Sequence, residues 1–272
     1  MVHTPSSLYN ALAILAAHFA VQSVAHAVAC FASVVTDNLI YIDAVSGLSL
    51  FLSSAVFVSH HARHPLIGVL LCVWSLRLSI FFIWRHAALG RVRARCVPEN
   101  LLSTYAFAVS RLIWSLAVLL TMHATPTMDA AIRIELTCAA LAALAFETYA
   151  DAELLLFRIK DRGHTLYTKG LWAWSRHPNM FGELVFQVCV FLLVVDWTFA
   201  SVTSGAACIV TATGILALPG GIATLEDRAQ NTWGATDVYR TYVRTTPRLL
   251  PYGPCVRLAQ RNAESHVSRS AV

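Results

Sequence analysis

Apolar runs of about 20 residues recur along this chain, and they constrain its fold more than any other feature. A run of that length crosses the hydrocarbon core of a bilayer as one α-helix, because each helical residue rises about 1.5 Å. The composition agrees, with 57% apolar and 13% charged residues, whereas soluble domains carry about 25% charged residues. The sequence therefore predicts an all-α, polytopic membrane helix bundle. The alternative is a large soluble helical protein with buried helices.

We predict about seven transmembrane helices, of which the sixth and seventh are short and close together. The fifth is long enough to project beyond the hydrocarbon. In chain order, the predicted spans are Leu8–Val35, Leu39–Val58, Pro65–Trp84, Leu101–Met122, Ala130–Phe157, Leu184–Phe199 and Val202–Leu218.

The basic residues indicate how these spans are oriented. Most of the 20 Lys and Arg residues lie in three segments, at 85–95, 158–176 and 228–269. With seven spans, all three segments fall on one side of the bilayer, and basic segments favour the cytosolic side. We therefore expect a lumenal N-terminus and a cytosolic C-terminal segment. This topology accounts for the net charge of +5, so the charge does not predict a nucleic-acid partner.

The seven cysteines are scattered and form no CxxC pair. Such spacing is typical of cysteines that pack as small hydrophobic residues in helices. We therefore expect no metal site and no disulfide framework.

One boundary between predicted spans is unusually polar. The stretch Lys169–Glu183 reads KGLWAWSRHPNMFGE and places Arg176, His177, Asn179 and Glu183 within eight positions. Polar groups at this depth are costly unless they have partners or line a wet cavity. We interpret the stretch as the wall of a cofactor site. The alternative for His177 is a structural histidine with its hydrogen bonds satisfied.

Charged residues also occur inside the spans. Arg77 lies in the middle of span three, and Glu147 and Asp151 are four residues apart in span five, which puts them on one helix face. Buried charges usually face the bundle interior and pair with one another. Two interpretations stay open, an Arg77–carboxylate pair that fixes helix packing and a polar cavity floor that orients a substrate or cofactor.

Two further segments contain groups suited to a nucleotide. Arg158 and Lys160 follow span five and are the kind of residues that bind phosphate, although they equally fit a topology signal. The C-terminal segment contains Glu226, Arg228 and, three residues apart, Tyr239 and Tyr242. It predicts either an amphipathic cytosolic helix or a lid that lies against the stretch Lys169–Glu183 and covers a nucleotide.

Together these motifs resemble the C-terminal domain of the steroid 5-alpha-reductase family, most closely its uncharacterised membrane branch. The resemblance covers about residues 40–252, and its most specific part is the run Arg176–Asn179. The matching residues are Phe146, Glu147, Ala150, Asp151, Phe157, Gly170, Leu171, Trp172, Ser175, Arg176, His177, Pro178, Asn179, Phe181, Gly182, Glu183, Glu226, Arg228, Tyr239, Tyr242, Thr246 and Pro251.

The resemblance implies an NADPH-dependent reductase that saturates a carbon–carbon double bond in a steroid-like or other lipid, with the cofactor held at the cytosolic ends of the last helices. Lipid-modifying chemistry makes the endoplasmic reticulum the expected membrane. We expect one transmembrane domain over residues 1–252, with its cofactor half at about 140–252, and a mobile tail at 253–272. Glu147 and Asp151 would orient the nicotinamide or deliver a proton. The residues assigned to the cofactor are Arg158, Lys160, Arg176, His177, Asn179, Glu183, Glu226, Arg228, Tyr239 and Tyr242.

One position departs from the family pattern, because Met180 stands where the family usually has Tyr. If that Tyr contacts the cofactor or substrate, the contact is lost here, and activity is altered or absent.

Two alternatives remain. The isoprenylcysteine carboxyl methyltransferases have a related motif and bind S-adenosylmethionine, and a non-catalytic lipid-binding relative would keep the same architecture. NADPH is favoured because Asn179 follows the Pro, because Glu147 and Asp151 match the reductase-like branch, and because the preceding loop is basic. A cofactor with several phosphates needs that positive charge more than a sulfonium does.

Overall fold

The computed structural model describes residues 65–89, 128–162, 164–194 and 221–252, together with isolated positions between 16 and 55. Regular structure in these ranges is entirely helical. The elements are α1 (Pro65–Leu89), α2 (Ala130–Asp161), a short 3₁₀-helix (Gly170–Ala173), α3 (Pro178–Val194), α4 (Ile222–Trp233) and α5 (Asp237–Thr245). The all-α prediction is thus confirmed for the described part of the chain.

Among the described helices, one is long and apolar enough to cross a membrane, the 25-residue α1. The apolar part of α3, Pro178–Leu193, is shorter. The fourth and seventh predicted spans and the tail 253–272 lie outside the described residues, as does much of the first two spans. The described chain therefore supports a helical protein with a membrane-compatible helix.

The long helix α2 has defined ends. Asp129 precedes it, and its carboxylate accepts a hydrogen bond from the Ala131 amide at 2.7 Å, which satisfies one of the free donors of the first turn. Arg162 follows it with a φ of 53°, a left-handed conformation that ends many helices. The helix extends four residues beyond the predicted end of span five at Phe157.

The hydrophobic core lies between α1, α2 and α3. Trp74 of α1 stacks on Phe186 of α3 with ring centroids 5.6 Å apart. Small residues bring α2 and α3 close together: a Cβ on Gly182 would stand 2.9 Å from the Cβ of Glu147 and 3.0 Å from the carbonyl oxygen of Ala143. The core residues are Ile67, Leu70, Leu71, Trp74, Leu78, Ala140, Ala143, Leu144, Phe186, Cys189, Val190 and Leu193.

Two short helices form the C-terminal part of the described chain. The Thr236 hydroxyl accepts a hydrogen bond from the Tyr239 amide at 3.3 Å and caps α5. Tyr239 and Tyr242 are both buried, as their spacing of three residues in a helix predicts. The helix α5 is therefore amphipathic, with its tyrosines directed into the protein.

Candidate functional site

The first polar cluster is built around Arg77 of α1, whose side chain is 12% exposed. Its Nη1 donates to Glu147 Oε1 at 2.7 Å, and its Nη2 donates to Asp151 Oδ2 at 2.5 Å. Its Nε donates to the Thr148 hydroxyl at 3.0 Å. One guanidinium thus joins two carboxylates of α2, because residues four apart lie on the same side of a helix.

Asn179 extends this cluster to the first turn of α3. Its Nδ2 donates to Asp151 Oδ1 at 3.0 Å. A carboxylate only accepts hydrogen bonds, which fixes the nitrogen of the Asn179 amide toward Asp151. The Asn179 carbonyl oxygen Oδ1 is then buried without a hydrogen-bond partner among the residues that the structure describes. An unpartnered buried acceptor is rare in native proteins and marks a place where a donor is missing.

The second cluster joins the segment before α3 to α4. Glu226 Oε1 lies 2.6 Å from His177 Nε2, and Glu226 Oε2 lies 3.0 Å from Arg176 Nη1. The side chains of Arg176 and His177 are 12% and 9% exposed, and that of Glu226 is 20% exposed. An ion pair at this depth is screened less by salt than one on the surface.

The charge state of Glu226 follows from these neighbours. Burial raises the pKa of Glu226, but the hydrogen bond with His177 and the positive charges of Arg176 and Arg248 lower it by more. The net result is a pKa below the ordinary value of a glutamate. Glu226 is therefore an anion at neutral pH.

Hydrogen bonds that end on main-chain carbonyl oxygens also hold the same two segments together. The Arg176 amide donates to the Pro247 carbonyl at 2.9 Å, and the Ser175 hydroxyl donates to the Leu249 carbonyl at 2.7 Å. The Tyr242 hydroxyl donates to the Trp172 carbonyl, also at 2.7 Å. The C-terminal segment is thus hydrogen-bonded to the stretch that carries Arg176 and His177.

Glu153 of α2 anchors the loop that leads into this stretch. Its Oε1 accepts from the Tyr167 hydroxyl and its Oε2 from the Leu171 amide, both at 3.1 Å. Burial and the neighbouring Glu153 carboxylate raise the pKa of Tyr167 to about 12, so this hydroxyl stays a donor. Gly170 has a φ of +54°, and a Cβ there would collide with the Glu153 carboxylate.

The structure brings most, though not all, of the predicted site residues into these contacts. Glu147, Asp151 and Asn179 share the first cluster, and Arg176, His177 and Glu226 share the second. The buried Tyr239 experiences the charges of Glu226 and Arg176. Glu183 is buried one turn along α3 from Asn179 and accepts from Gln187 at 3.1 Å. Exposed positions outside both clusters are Arg158, Lys160 and Arg228.

The structure adds Arg77, Ser175 and Gln187 to the polar groups of the site. For Arg77 the sequence leaves two interpretations open, and its hydrogen bonds to Glu147 and Asp151 show the pairing with carboxylates that the first of them expects. Ser175 could have been predicted from its position directly before Arg176 in the most specific motif of the sequence. The hydrogen bond from Gln187 to Glu183 could also have been predicted, because Gln187 lies four residues after Glu183 on the same helix.

Comparison with known proteins places the chain in a family. Residues 29–246 match the family described as "Protein of unknown function (DUF1295)". This match contains every residue of both polar clusters, whereas Pro247, Arg248 and Leu249 lie just beyond it. The chain matches no curated protein and no solved structure. Because the match covers most of its length, the chain belongs to the DUF1295 family.

Proposed function

We propose that this protein is a membrane-embedded, NADPH-dependent reductase that saturates a carbon–carbon double bond conjugated to a carbonyl in a steroid-like or other lipid. The observation that supports the proposal best is the joining of two segments distant in sequence, 175–179 and 221–252, through Arg176, His177 and Glu226. The resemblance of these same segments to the steroid 5-alpha-reductase family supplies the reaction, and lipid-modifying chemistry makes the endoplasmic reticulum the expected membrane.

The polar groups available in the two clusters fit this cofactor. Asn179 Oδ1 is a buried acceptor that has no hydrogen-bond partner within the described ranges, and such an acceptor suits an amide N–H such as that of the nicotinamide carboxamide. Arg176 Nε and Nη1 are buried and make no hydrogen bond to the described part of the chain, and guanidinium donors suit phosphate oxygens. We therefore assign Asn179 to the nicotinamide end and Arg176 to the phosphates.

Each residue of the first cluster then has a defined task. NADPH supplies the hydride when bound. Asp151 orients the Asn179 amide and is itself held by Arg77, so it acts as a positioning residue. Both Asp151 oxygens accept hydrogen bonds, which suits Asp151 to orienting Asn179 rather than to delivering a proton. Charge that develops on the substrate carbonyl oxygen requires a hydrogen-bond donor from the enzyme.

Ligand-dependent stability of the full chain in detergent tests the cofactor. A ligand of the native state stabilises it by mass action, by about 2.7 kcal/mol at a concentration 100 times its Kd. We expect the midpoint of thermal unfolding to rise with NADPH and not with S-adenosylmethionine. A rise with S-adenosylmethionine alone would indicate the methyltransferase, and no rise with either would indicate the non-catalytic relative.

The reaction itself is tested by following NADPH oxidation after addition of an enone steroid to the protein in lipid nanodiscs. We expect absorbance at the reduced nicotinamide band to fall only when the conjugated double bond is present. The saturated steroid of the same skeleton is the matched control. Equal oxidation with both compounds would contradict a reductase of conjugated double bonds.

The first mutational prediction concerns Arg176. We expect Arg176→Ala to abolish the stabilisation by NADPH, because its guanidinium is the buried cation that we assign to the phosphates. Arg244→Ala is the control, since Arg244 is an exposed cation on α5 and makes the same change of charge. An unchanged NADPH response in Arg176→Ala would exclude the assigned role.

A further inference from the structure

The pairing of Arg176 with Glu226 is close but incomplete. The charged atoms Nη1 and Oε2 are 3.0 Å apart. Both Nη1 and Nε of Arg176 are nevertheless buried without a hydrogen-bond partner in the described part of the chain. A well-formed arginine–carboxylate pair is bidentate and uses two parallel N–H donors. Glu226 therefore neutralises the charge of Arg176 and leaves the donors on Nε and Nη1 without a hydrogen bond from the described residues.

The second oxygen of Glu226 explains why the pair is incomplete. Oε1 lies 2.6 Å from His177 Nε2, so the carboxylate is drawn to the imidazole and cannot turn both oxygens toward Arg176. Arg248 contributes a further positive charge to the field at Glu226. Among the described residues, the groups that lower the pKa of Glu226 are thus all basic, namely His177, Arg176 and Arg248.

A phosphate would satisfy Arg176 better than Glu226 does. Its three acceptor oxygens can take two N–H donors of one guanidinium and leave a third oxygen for a neighbouring donor. The site also lies directly before α3, whose first turn contributes a partial positive charge. A phosphate and the Glu226 carboxylate would compete for the same cationic surroundings, because both are anions.

We infer that Glu226 is a resident counter-ion that a phosphate group displaces from Arg176. This role differs from the sequence-based assignment of Glu226, in which its carboxylate accepts hydrogen bonds from the cofactor. The inference rests on the proposed function in so far as the phosphate belongs to a dinucleotide. The two roles predict opposite effects on phosphate affinity when the negative charge of Glu226 is removed. A displaced counter-ion predicts tighter binding, and a cofactor ligand predicts weaker binding.

The test compares phosphate affinity in two matched variants of the full chain in nanodiscs. Glu226→Gln removes the charge and keeps the length of the side chain and a hydrogen-bonding group beside His177. Asp227→Asn makes the same change of charge at the next residue, which is exposed. The probes are NADPH and, separately, inorganic pyrophosphate.

We expect Glu226→Gln to bind both probes at least about fivefold more tightly than the wild type, the lower end of typical coupling between competing groups. Asp227→Asn should stay within about twofold, as expected for an exposed charge in salt. Weaker or unchanged binding in Glu226→Gln would overturn the inference, as would an equal gain in Asp227→Asn.

The pyrophosphate probe separates this inference from the proposed function. If pyrophosphate binds more tightly to Glu226→Gln while NADPH stabilises neither protein, the reductase proposal fails and the displaced counter-ion stands. If pyrophosphate binds to neither protein, the inference fails whatever the result with NADPH.

A measurement on the wild type avoids any effect of substitution on folding. Displacement of Glu226 releases α4 from Arg176, so pyrophosphate should speed amide hydrogen exchange in residues 222–233. If the carboxylate instead served as a ligand for the bound molecule, exchange in α4 would slow, and slower or unchanged exchange would overturn the inference.

Discussion

Arg77 is the residue whose charge matters most for the first cluster. Its guanidinium joins Glu147 and Asp151, whose side chains are 3% and 10% exposed. Removing one member of a buried ionic cluster leaves the others uncompensated and costs about 3–5 kcal/mol. We predict that Arg77→Gln lowers the free energy of unfolding in detergent by about this amount, measured by denaturant titration.

A combined variant shows whether the loss comes from uncompensated charge. Arg77→Met together with Glu147→Gln and Asp151→Asn removes every charge of the cluster and keeps similar volumes. Such full replacements are often close to neutral in stability. We therefore expect the triple variant to be more stable than Arg77→Gln alone, and a triple variant that is equally unstable would point to lost packing.

Gly182 gives a prediction about packing. Elsewhere in a helix, replacing Gly by Ala stabilises by about 0.5–1 kcal/mol. Here the added Cβ would stand 2.9 Å from the Cβ of Glu147, so α2 and α3 must move apart, and overpacking typically costs about 1–3 kcal/mol. We expect Gly182→Ala to lower the thermal midpoint, with Val188→Ala at an exposed site of α3 as the control.

For individual residues, the sequence predicts which residues of one helix share a face, but it does not predict contacts between different helices. The shared face of Glu147 and Asp151 follows from their spacing, as does the burial of Tyr239 with Tyr242. The contact between Asn179 and Asp151 joins two helices, and no spacing rule relates them. The sequence also shows nothing of the unpartnered Asn179 oxygen, because a missing hydrogen bond is a property of three-dimensional geometry.

The conformation of the loop between α2 and α3 depends on one glycine. Gly170 has a φ of +54° and approaches the Glu153 carboxylate, a combination that a residue with a Cβ does not tolerate. We predict that Gly170→Ala displaces the loop from Glu153 and speeds its cleavage in limited proteolysis. Lys169→Ala at the exposed neighbouring position is the control, and equal cleavage of both variants would contradict the prediction.

Helix boundaries illustrate what hydropathy can and cannot predict. The start of α2 at Ala130 agrees with span five, but α3 begins at Pro178, six residues before the predicted start of span six at Leu184. Hydropathy detects where apolar residues begin, whereas a helix begins where its first turn can be formed, and Pro is favoured at that position. The polar residues Asn179 and Glu183 are therefore helical.

For the whole molecule, Glu226 makes the attachment of the C-terminal segment dependent on pH. Its pKa is lowered from 4.5 in the folded protein, so the carboxylate contributes stability that is fully present above about pH 4.5. That stability is lost as the pH falls through the lower folded value. We predict that hydrogen exchange in residues 222–252 speeds up as the pH falls below 4.5, after correction for the intrinsic rate.

Glu226→Gln provides the control for this pH dependence. Glutamine does not titrate, so the variant should lose the acid-induced step in residues 222–252 and keep any step that arises elsewhere. An acid-induced step of the same size in both proteins would assign it to other carboxylates.

The resemblance favours convergence of the two segments, because each resembles part of one family site, and the ion pairs of Glu226 join them. Composition alone could not have predicted it, because contacts between residues about 50 positions apart leave no periodic pattern. The count of seven spans depends on ranges such as 101–122 and 202–218, which lie outside the described residues.

The hydrogen bonds from Arg176 and Ser175 to the C-terminal segment end on the carbonyl oxygens of Pro247 and Leu249. Every amino acid carries such an oxygen, so these hydrogen bonds do not depend on which side chains occupy positions 248 and 249. Randomising those two positions should leave the hydrogen bonds intact, whereas deleting a single residue from the segment should break them.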